Sequence, residues 1–302
     1  MHDLIIIGGG PAGAAAAVYA ARKLLKTILI TEEFGGQSAV STDIQNWIGT
    51  PHIAGADFAK SLEAHVREYA ADVVTIEAGA RVTKVVRNGE TFTVTAGDKT
   101  YEARTVLVTA GGRRRQLGVP GADTFEHKGV TYCASCDGPL FSGQDVAVVG
   151  GGNAAFETAA QLLAYCKSVT LLSRSDFRAD PSTVAAVLKN PHMKALTGIE
   201  LLSVTGEKFV TGLTYRDQSG EHALAVTGIF AEIGMEASTD FVAELVDRDQ
   251  TKRIVVDPKN QRSSLTGVWA AGDCTDGLYH QNNIAAGDAV KALEDIYLHL
   301  KA

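Results

Sequence analysis

Cysteine is scarce in this 302-residue sequence: there are four, and two of them form a single Cys-x-x-Cys at Cys133 and Cys136. So few thiols make no extracellular disulfide framework. They suit a reducing compartment, where a vicinal pair is either redox-active or half of a metal site. A zinc site wants about four ligands, and no second Cys-x-x-Cys or Cys-x-x-His is present, so no metal is expected. A basic surplus is missing too: 28 Lys and Arg stand against 35 Asp and Glu, a formal net charge of −7. That balance argues against nucleic acid as a partner, which needs a basic surface. No apolar run reaches the roughly 18 residues of a membrane span. Met1-His2-Asp3 lacks the basic start of a secretion signal. Together these absences predict a cytoplasmic protein with no membrane and no nucleic acid among its partners.

Glycine, by contrast, is plentiful at 31 residues, and two clusters of it punctuate the same pattern. Leu4-Ile5-Ile6-Ile7 is a short apolar run of the kind that forms a buried parallel strand. Gly8-Gly9-Gly10-Pro11-Ala12-Gly13 follows and matches G-x-G-x-x-G, and the Ala-rich segment Ala14–Lys26 predicts a helix. In this fingerprint the first glycine permits a tight turn, the second admits a pyrophosphate to backbone N–H groups, and the third lets the helix lie close on the strand. Thr27–Ile30 predicts a second strand ending at Glu32-Glu33, and an acid there suits a ribose 2′-hydroxyl. About 140 residues further on, a domain's length, the unit recurs. Val146–Val149 predicts a strand, Gly150-Gly151-Gly152-Asn153-Ala154-Ala155 is the alanine form of the fingerprint, Phe156–Cys166 a helix and Val169–Leu172 the next strand. This one ends at Ser173-Arg174-Ser175-Asp176-Phe177-Arg178. Serine with arginines, rather than an acid, leaves room for a 2′-phosphate.

Between and after the two units, Ala54–Asp72 predicts an amphipathic helix with Phe58, Leu62, His65, Val66 and Tyr69 near helical spacing, His65 being read as a packing residue. Residues 73–76, 81–87, 91–95 and 100–109 read as strands, with Asn88-Gly89 as a hairpin turn. Arg113-Arg114-Arg115 opens a Gly/Pro-punctuated stretch read as the first crossing between domains, the arginines being a solvated linker or, alternatively, one of them an anion-binding residue. A second crossing is placed near residue 243, and Ile284–Leu300 predicts a closing helix. The expected class is therefore α/β, with two Rossmann-like three-layer nucleotide-binding domains, the second inserted in the first. Residues 1–113 and 243–302 would form one, and 114–242 the other. The Cys-x-x-Cys lies in the second and is followed at once by Asp137. Two vicinal thiols store two electrons as a disulfide, and an adjacent acid is placed to carry the proton. Cys166 and Cys274 read as buried structural residues.

These motifs resemble the low-molecular-weight thioredoxin reductases over nearly the whole chain. The marks are GGGPAG at 8–13, GGQ at 35–37, Asn46-Trp47-Ile48-Gly49, CASCDG at 133–138, GGGNAAFE at 150–157, and AAGD at 270–273 with Tyr279-His280-Gln281 beyond. The CDGPLF wording and the 35–49 loop are also similar to the peroxiredoxin-reducing flavoproteins related to alkyl hydroperoxide reductase. The resemblance implies FAD in the first domain, held by Gly8, Gly10, Pro11, Ala12, Gly13, Glu32, Gly36, Gln37, Asn46, Val82, Ala110, Gly272 and Asp273, with His280, Gln281 and Asn282 against the flavin. It implies NADPH in the second, at Gly150, Gly152, Asn153, Ala154, Glu157, Arg174 and Arg178. Cys136 would face the flavin, Cys133 would attack a partner disulfide, and Asp137 would give and take the proton. The implied activity is electron transfer from NADPH through FAD and a Cys133–Cys136 disulfide to thioredoxin or a similar small redox protein, in a homodimer. Three departures stand out. His280 replaces the usual arginine, Asn153 replaces a common aspartate, and the segment from Ser173 is one residue shorter and one arginine poorer than the usual pattern. They leave open an NADH-dependent relative and a pyridine-nucleotide-independent one drawing electrons from a protein such as ferredoxin. They also leave open, from another class, a non-catalytic flavin redox sensor.

Overall fold

A computed structural model describes residues 1–41 and 43–301, and of Ser135 and Cys136 the backbone alone. The chain divides into two compact units, Met1–Arg113 with Glu236–Ala302, and Arg114–Met235.

In the first unit β1 (His2–Gly9) is central and lies parallel to β2 (Thr27–Phe34) and β6 (Lys99–Val108). β3 (Val74–Ala78) extends the sheet beyond β2. On the far edge of β6, β17 (Val268–Ala270) pairs with its last residues and the antiparallel hairpin β4 (Val82–Asn88)–β5 (Thr91–Ala96) with its first half. A central parallel strand is buried on both faces, and the run Leu4–Ile7 does this by alternation. Leu4 and Ile6 face α1 (Pro11–Arg22), α2 (Gly55–Ala70) and α6 (Asn282–Lys301), while Ile5 and Ile7 face Val85, Phe92 and Val94 of the hairpin.

The second unit repeats the plan. β9 (Asp145–Val149) lies between β10 (Ser168–Leu172) and β15 (Gly228–Ala231), with β11 (Met193–Leu196) and β8 (Val130–Thr131) at the edges, all parallel. Val146 and Val148 face α4 (Asn153–Leu162) and α5 (Pro181–Val187). Ala147 and Val149 face the antiparallel sheet of β12 (Glu200–Gly206), β13 (Val210–Asp217) and β14 (Gly220–Leu224). Helices, parallel sheet and antiparallel strands thus form three layers in each unit, the α/β class read from the sequence.

Several local expectations are corrected. α1 starts at Pro11, whose fixed φ and missing N–H suit a first helical position, and it stops at Arg22, where Leu24 turns to φ 57°. α4 likewise starts at Asn153, directly after the last glycine. His65 does not pack inward; it is exposed on α2, with its ring edge-on to Tyr69. The return crossing falls at Met235/Glu236, ahead of residue 243, because Glu236 and Asp240 pair with Arg113 and Lys252 inside the first unit. Both crossings run through short strands, β7 (Gly112–Arg114) and β16 (Met235–Ala237), that pair with each other.

Candidate functional site

Each glycine cluster sits where a parallel strand ends and a helix begins, and the two are built alike. Gly8 and Gly150 take φ 114° and 154°, and a Cβ on either would strike a carbonyl oxygen, that of Thr109 or of Glu232. A Cβ at Gly13 would run into the carbonyl oxygen of Gly8, so the helix lies as close as backbone allows. Gly10 and Gly152, by contrast, are extended, and a Cβ on either would meet nothing within 4 Å. Neither α1 nor α4 has a side-chain cap or an acid in its first turn. The free N–H groups and positive helix ends therefore open onto empty space, as a phosphate requires. The second strands also end alike: Thr31 Oγ1 donates to the Glu33 carbonyl (2.6 Å) and Ser173 Oγ to that of Ser175 (2.7 Å).

The cradles differ in charge. Beyond Thr31 stands Glu32, exposed and 3.8 Å from Arg81. Beyond Ser173 stand Arg174 and Arg178, both exposed and, among the described residues, in no ion pair. Their loop is tied to the second cradle at two points: Arg178 N–H donates to Gly151 O and Asp180 N–H to Asn153 Oδ1, each at 2.7 Å. Asn153 is thus engaged in holding the loop, while Ala154 and Glu157 are exposed on the first turns of α4.

Around the first cradle, the N-terminus of α6 is laced to the segment 36–49. Ser38 Oγ donates to Asn282 Oδ1 (2.8 Å), Asn46 Nδ2 to Gln281 Oε1 (2.9 Å), and Asn283 Nδ2 to Asn46 O (2.7 Å). A cleft of about 470 Å³ lies there, lined by Gln37, Ser38, Asp43, Asn46 and Asn282 among others. Gly36 approaches Gly10, and Gly272, beside Asp273, sits against Ala12 of α1 and Ala285 of α6, so two helix N-termini converge. His280 Nε2 is buried there with no hydrogen-bond partner among the described residues. Such an orphan asks for a group the protein itself does not supply. Open glycine, uncapped helix, exposed acid and orphaned nitrogen together fit a dinucleotide such as FAD. Val82 is buried in β4, and Ala110 is half-buried just past the end of β6. Cys274 is fully buried; its thiol donates to the carbonyls of Val108 and Ala271, and burial pushes its pKa up to about 12. It is an inert packing residue, as is Cys166, whose thiol is pushed up to about 11 by burial.

The Cys-x-x-Cys lies at the end of β8, where the short helix α3 (Ala134–Asp137) begins. Cys133 is disulfide-bonded, while Cys166 and Cys274 are free thiols. The side chain of Cys136 lies outside the described residues. Asp137 Oδ2 accepts a hydrogen bond from Thr131 Oγ1, and the same Oγ1 accepts from the Cys133 N–H at 3.5 Å. Thr131 is buried at 5% exposure, so its geometry is held by the strand. Sequence reading passed over it, although a hydroxyl two residues before a redox cysteine is a signal that could have been used. Tyr132 is held neutral: burial and the nearby Glu126 push its phenol up to about 12. Glu232 was also passed over as a functional residue. Nor is the arginine run merely a solvated linker. Arg113 lies 3.6 Å from Glu236 and 3.7 Å from Asp240, and Arg114 3.5 Å from the largely buried Glu232.

Residues 2–289 match the family model described as pyridine nucleotide-disulphide oxidoreductase. The F component of the alkyl hydroperoxide reductase of Pseudomonas putida is 39% identical over 303 residues, covering 99% of this chain and 58% of that protein. NADH dehydrogenase of Bacillus subtilis is 36% identical over 299 residues, covering 96% of this chain and 57% of that protein. The chain thus spans less than two thirds of the length of these curated relatives. Among solved structures, thioredoxin reductase of Lactococcus lactis superposes with a TM-score of 0.82 at 28% identity, covering 100% of this chain and 99% of that one. Thioredoxin reductase of T. acidophilum does so at 0.79 and 32%, again over 100% and 99%. Among the described residues, no helix is long and apolar enough to cross a membrane.

Proposed function

The chain belongs to the pyridine nucleotide-disulphide oxidoreductase family, and on that premise we propose that it is an FAD-dependent disulfide reductase of the thioredoxin reductase type. One observation carries the reading: Cys133 is disulfide-bonded beside an acid already oriented by Thr131, in a chain with two like-built dinucleotide cradles. Bound FAD would supply a two-electron carrier between a nicotinamide and a disulfide. The net reaction is NAD(P)H + H⁺ + disulfide → NAD(P)⁺ + dithiol.

The residues of the chain do the remaining work. Once the Cys133–Cys136 disulfide is reduced, the Cys133 thiolate attacks a partner disulfide, since the thiolate is the nucleophile. One partner sulfur leaves and takes from Asp137 the proton that Cys133 gave up. Cys136 then passes its proton to Asp137 and attacks Cys133, restoring the intramolecular disulfide, and the second partner sulfur leaves with that proton, so the partner is released as a dithiol. The partner is a thioredoxin-like protein. Relatives named for alkyl hydroperoxide reductase favour a second acceptor, a peroxiredoxin-type disulfide. Arg174 and Arg178, exposed past a serine rather than an acid, favour NADPH as donor. A relative named NADH dehydrogenase favours NADH instead. The working form is a cytoplasmic homodimer.

Anaerobic titration of the purified protein with NADPH, NADH and reduced ferredoxin, following flavin absorbance, tests the donor. Bleaching by a nucleotide, followed by turnover of a thioredoxin-type disulfide, is expected. Bleaching by ferredoxin alone would make the second cradle vestigial, and bleaching without disulfide turnover would leave a redox sensor. A protein that takes up no FAD would overturn the proposal.

A further inference from the structure

The two cradles also differ at the residue whose carbonyl closes on the first glycine. In the first unit, Thr109 follows β6; its carbonyl oxygen closes on Gly8, and its hydroxyl donates to the carbonyls of Ile7 (2.9 Å) and Gly8 (3.1 Å). In the second unit Glu232, following β15, takes that place. Its carbonyl oxygen closes on Gly150 in the same way, but its side chain is a carboxyl turned inward, only 12% exposed. Oε1 accepts from Thr158 Oγ1 of α4 at 2.8 Å, and Oε2 lies 3.5 Å from Nη1 of Arg114. Glu157 of α4 is the other charged group acting on it. Burial is the largest influence, and with Glu157 it outweighs Thr158 and Arg114, holding this carboxyl above its ordinary 4.5.

The charge balance at the cradle therefore depends on one proton. With Glu232 ionised, it and Arg114 form a neutral pair. With Glu232 protonated, the guanidinium loses the one carboxylate it pairs with among the described residues, at the carboxyl edge of the parallel sheet, where the cradle opens; Tyr132, itself under the influence of Glu126 and Asp123, is the other titratable group it acts on. An anion arriving there favours the second arrangement, and by linkage its binding takes up a proton. We infer that Glu232 makes dinucleotide binding at the second cradle proton-coupled, the pyrophosphate binding more tightly when Glu232 is protonated and Arg114 is released. The inference rests on the proposed reading that this cradle takes a pyridine nucleotide.

Titration calorimetry on the flavin-loaded full chain tests it, with NAD⁺ and NADP⁺ as probes because neither can reduce the flavin. Buffers of different ionisation enthalpy report the protons taken up. Wild type should take up part of a proton per nucleotide and lose affinity about tenfold as pH rises from 4.5 through the titration of Glu232. That is the effect of one net charge, partly screened, at a separation on the order of 10 Å. Glu232→Gln should abolish the uptake and flatten the pH dependence, and Arg114→Ala should remove the tightening at low pH. Equal uptake in wild type and Glu232→Gln, or a pH-independent wild-type affinity, would overturn the inference. Binding only by Glu232→Gln would support it. Binding by neither protein at any pH would overturn the nucleotide reading and this inference with it. Hydrogen-exchange protection of peptides from 114–235 equal to that of wild type shows that the variants are folded in this unit; if Glu232→Gln does not fold, wild-type proton uptake decides alone.

Discussion

Thr131 is a single hydroxyl serving two neighbours: it donates to Asp137 and accepts from the Cys133 backbone. Thr131→Val keeps the shape and removes both bonds, so Asp137 loses its orientation and the fold is retained. The reoxidation of the enzyme by a disulfide partner should slow about tenfold, a fraction of what general acid–base catalysis supplies. Flavin reduction by the nucleotide should not change. Stopped-flow measurement of the two half-reactions separates the effects, and an unchanged reoxidation rate would remove Thr131 from the mechanism. Arg174 poses a different residue-scale question. One charge-assisted hydrogen bond to a 2′-phosphate contributes about 1.5–3 kcal/mol, roughly 10- to 150-fold. Arg174→Ala should therefore raise KM for NADPH and leave KM for NADH nearly unchanged. Equal effects on both nucleotides would show that Arg174 does not read the 2′-phosphate.

At the scale of the element, one strand–glycine–helix unit contains two kinds of glycine, and substitution should tell them apart. At Gly10 a Cβ meets nothing, whereas at Gly13 it meets the carbonyl oxygen of Gly8. Gly10→Ala should fold, with apoprotein stability within about 1 kcal/mol of wild type. Its FAD affinity should fall at least about tenfold, because the methyl occupies the space a pyrophosphate needs. Gly13→Ala forces α1 away from β1 and should cost about 1–3 kcal/mol of stability, with or without FAD. Thermal melts of apo and FAD-loaded proteins measure both. Gly10→Ala binding FAD as tightly as wild type would place the cofactor elsewhere.

At the scale of the whole molecule, each unit has cores on both faces of its own sheet, so each should respond to its own ligand. A ligand at about 100 times its Kd stabilises the unit that binds it by about 2.7 kcal/mol. FAD should raise the melting transition of Met1–Arg113 with Glu236–Ala302, and NADP⁺ that of Arg114–Met235. Hydrogen exchange read peptide by peptide assigns the protection, and protection by FAD confined to 114–235 would reverse the cofactor assignment. The buried Glu232 adds a pH term. Its folded pKa lies above 4.5, so between that value and the folded one the native state binds more protons than the unfolded. The stability it contributes is present below this window, falls as pH rises through it, and is level above. Glu232→Gln should remove the slope, and denaturant melts across that window would show whether it persists.

By itself the sequence determined the α/β class, the internal repeat and the family. Glycines at strand ends, alternation along β1 and the Cys-x-x-Cys are all local signals, carried within a dozen residues and set by backbone sterics and side-chain periodicity. Only the tertiary structure decided the partners. Ser38 and Asn282 lie 244 residues apart, Thr158 and Glu232 74 apart, and their hydrogen bonds exist only once the sheets have closed and brought those loops to one edge. Likewise no pattern in Phe230-Ala231-Glu232 shows that the carboxyl turns inward towards Arg114. Inward burial of a charge depends on a counter-charge and a hydroxyl from distant strands and helices, which a linear sequence does not place.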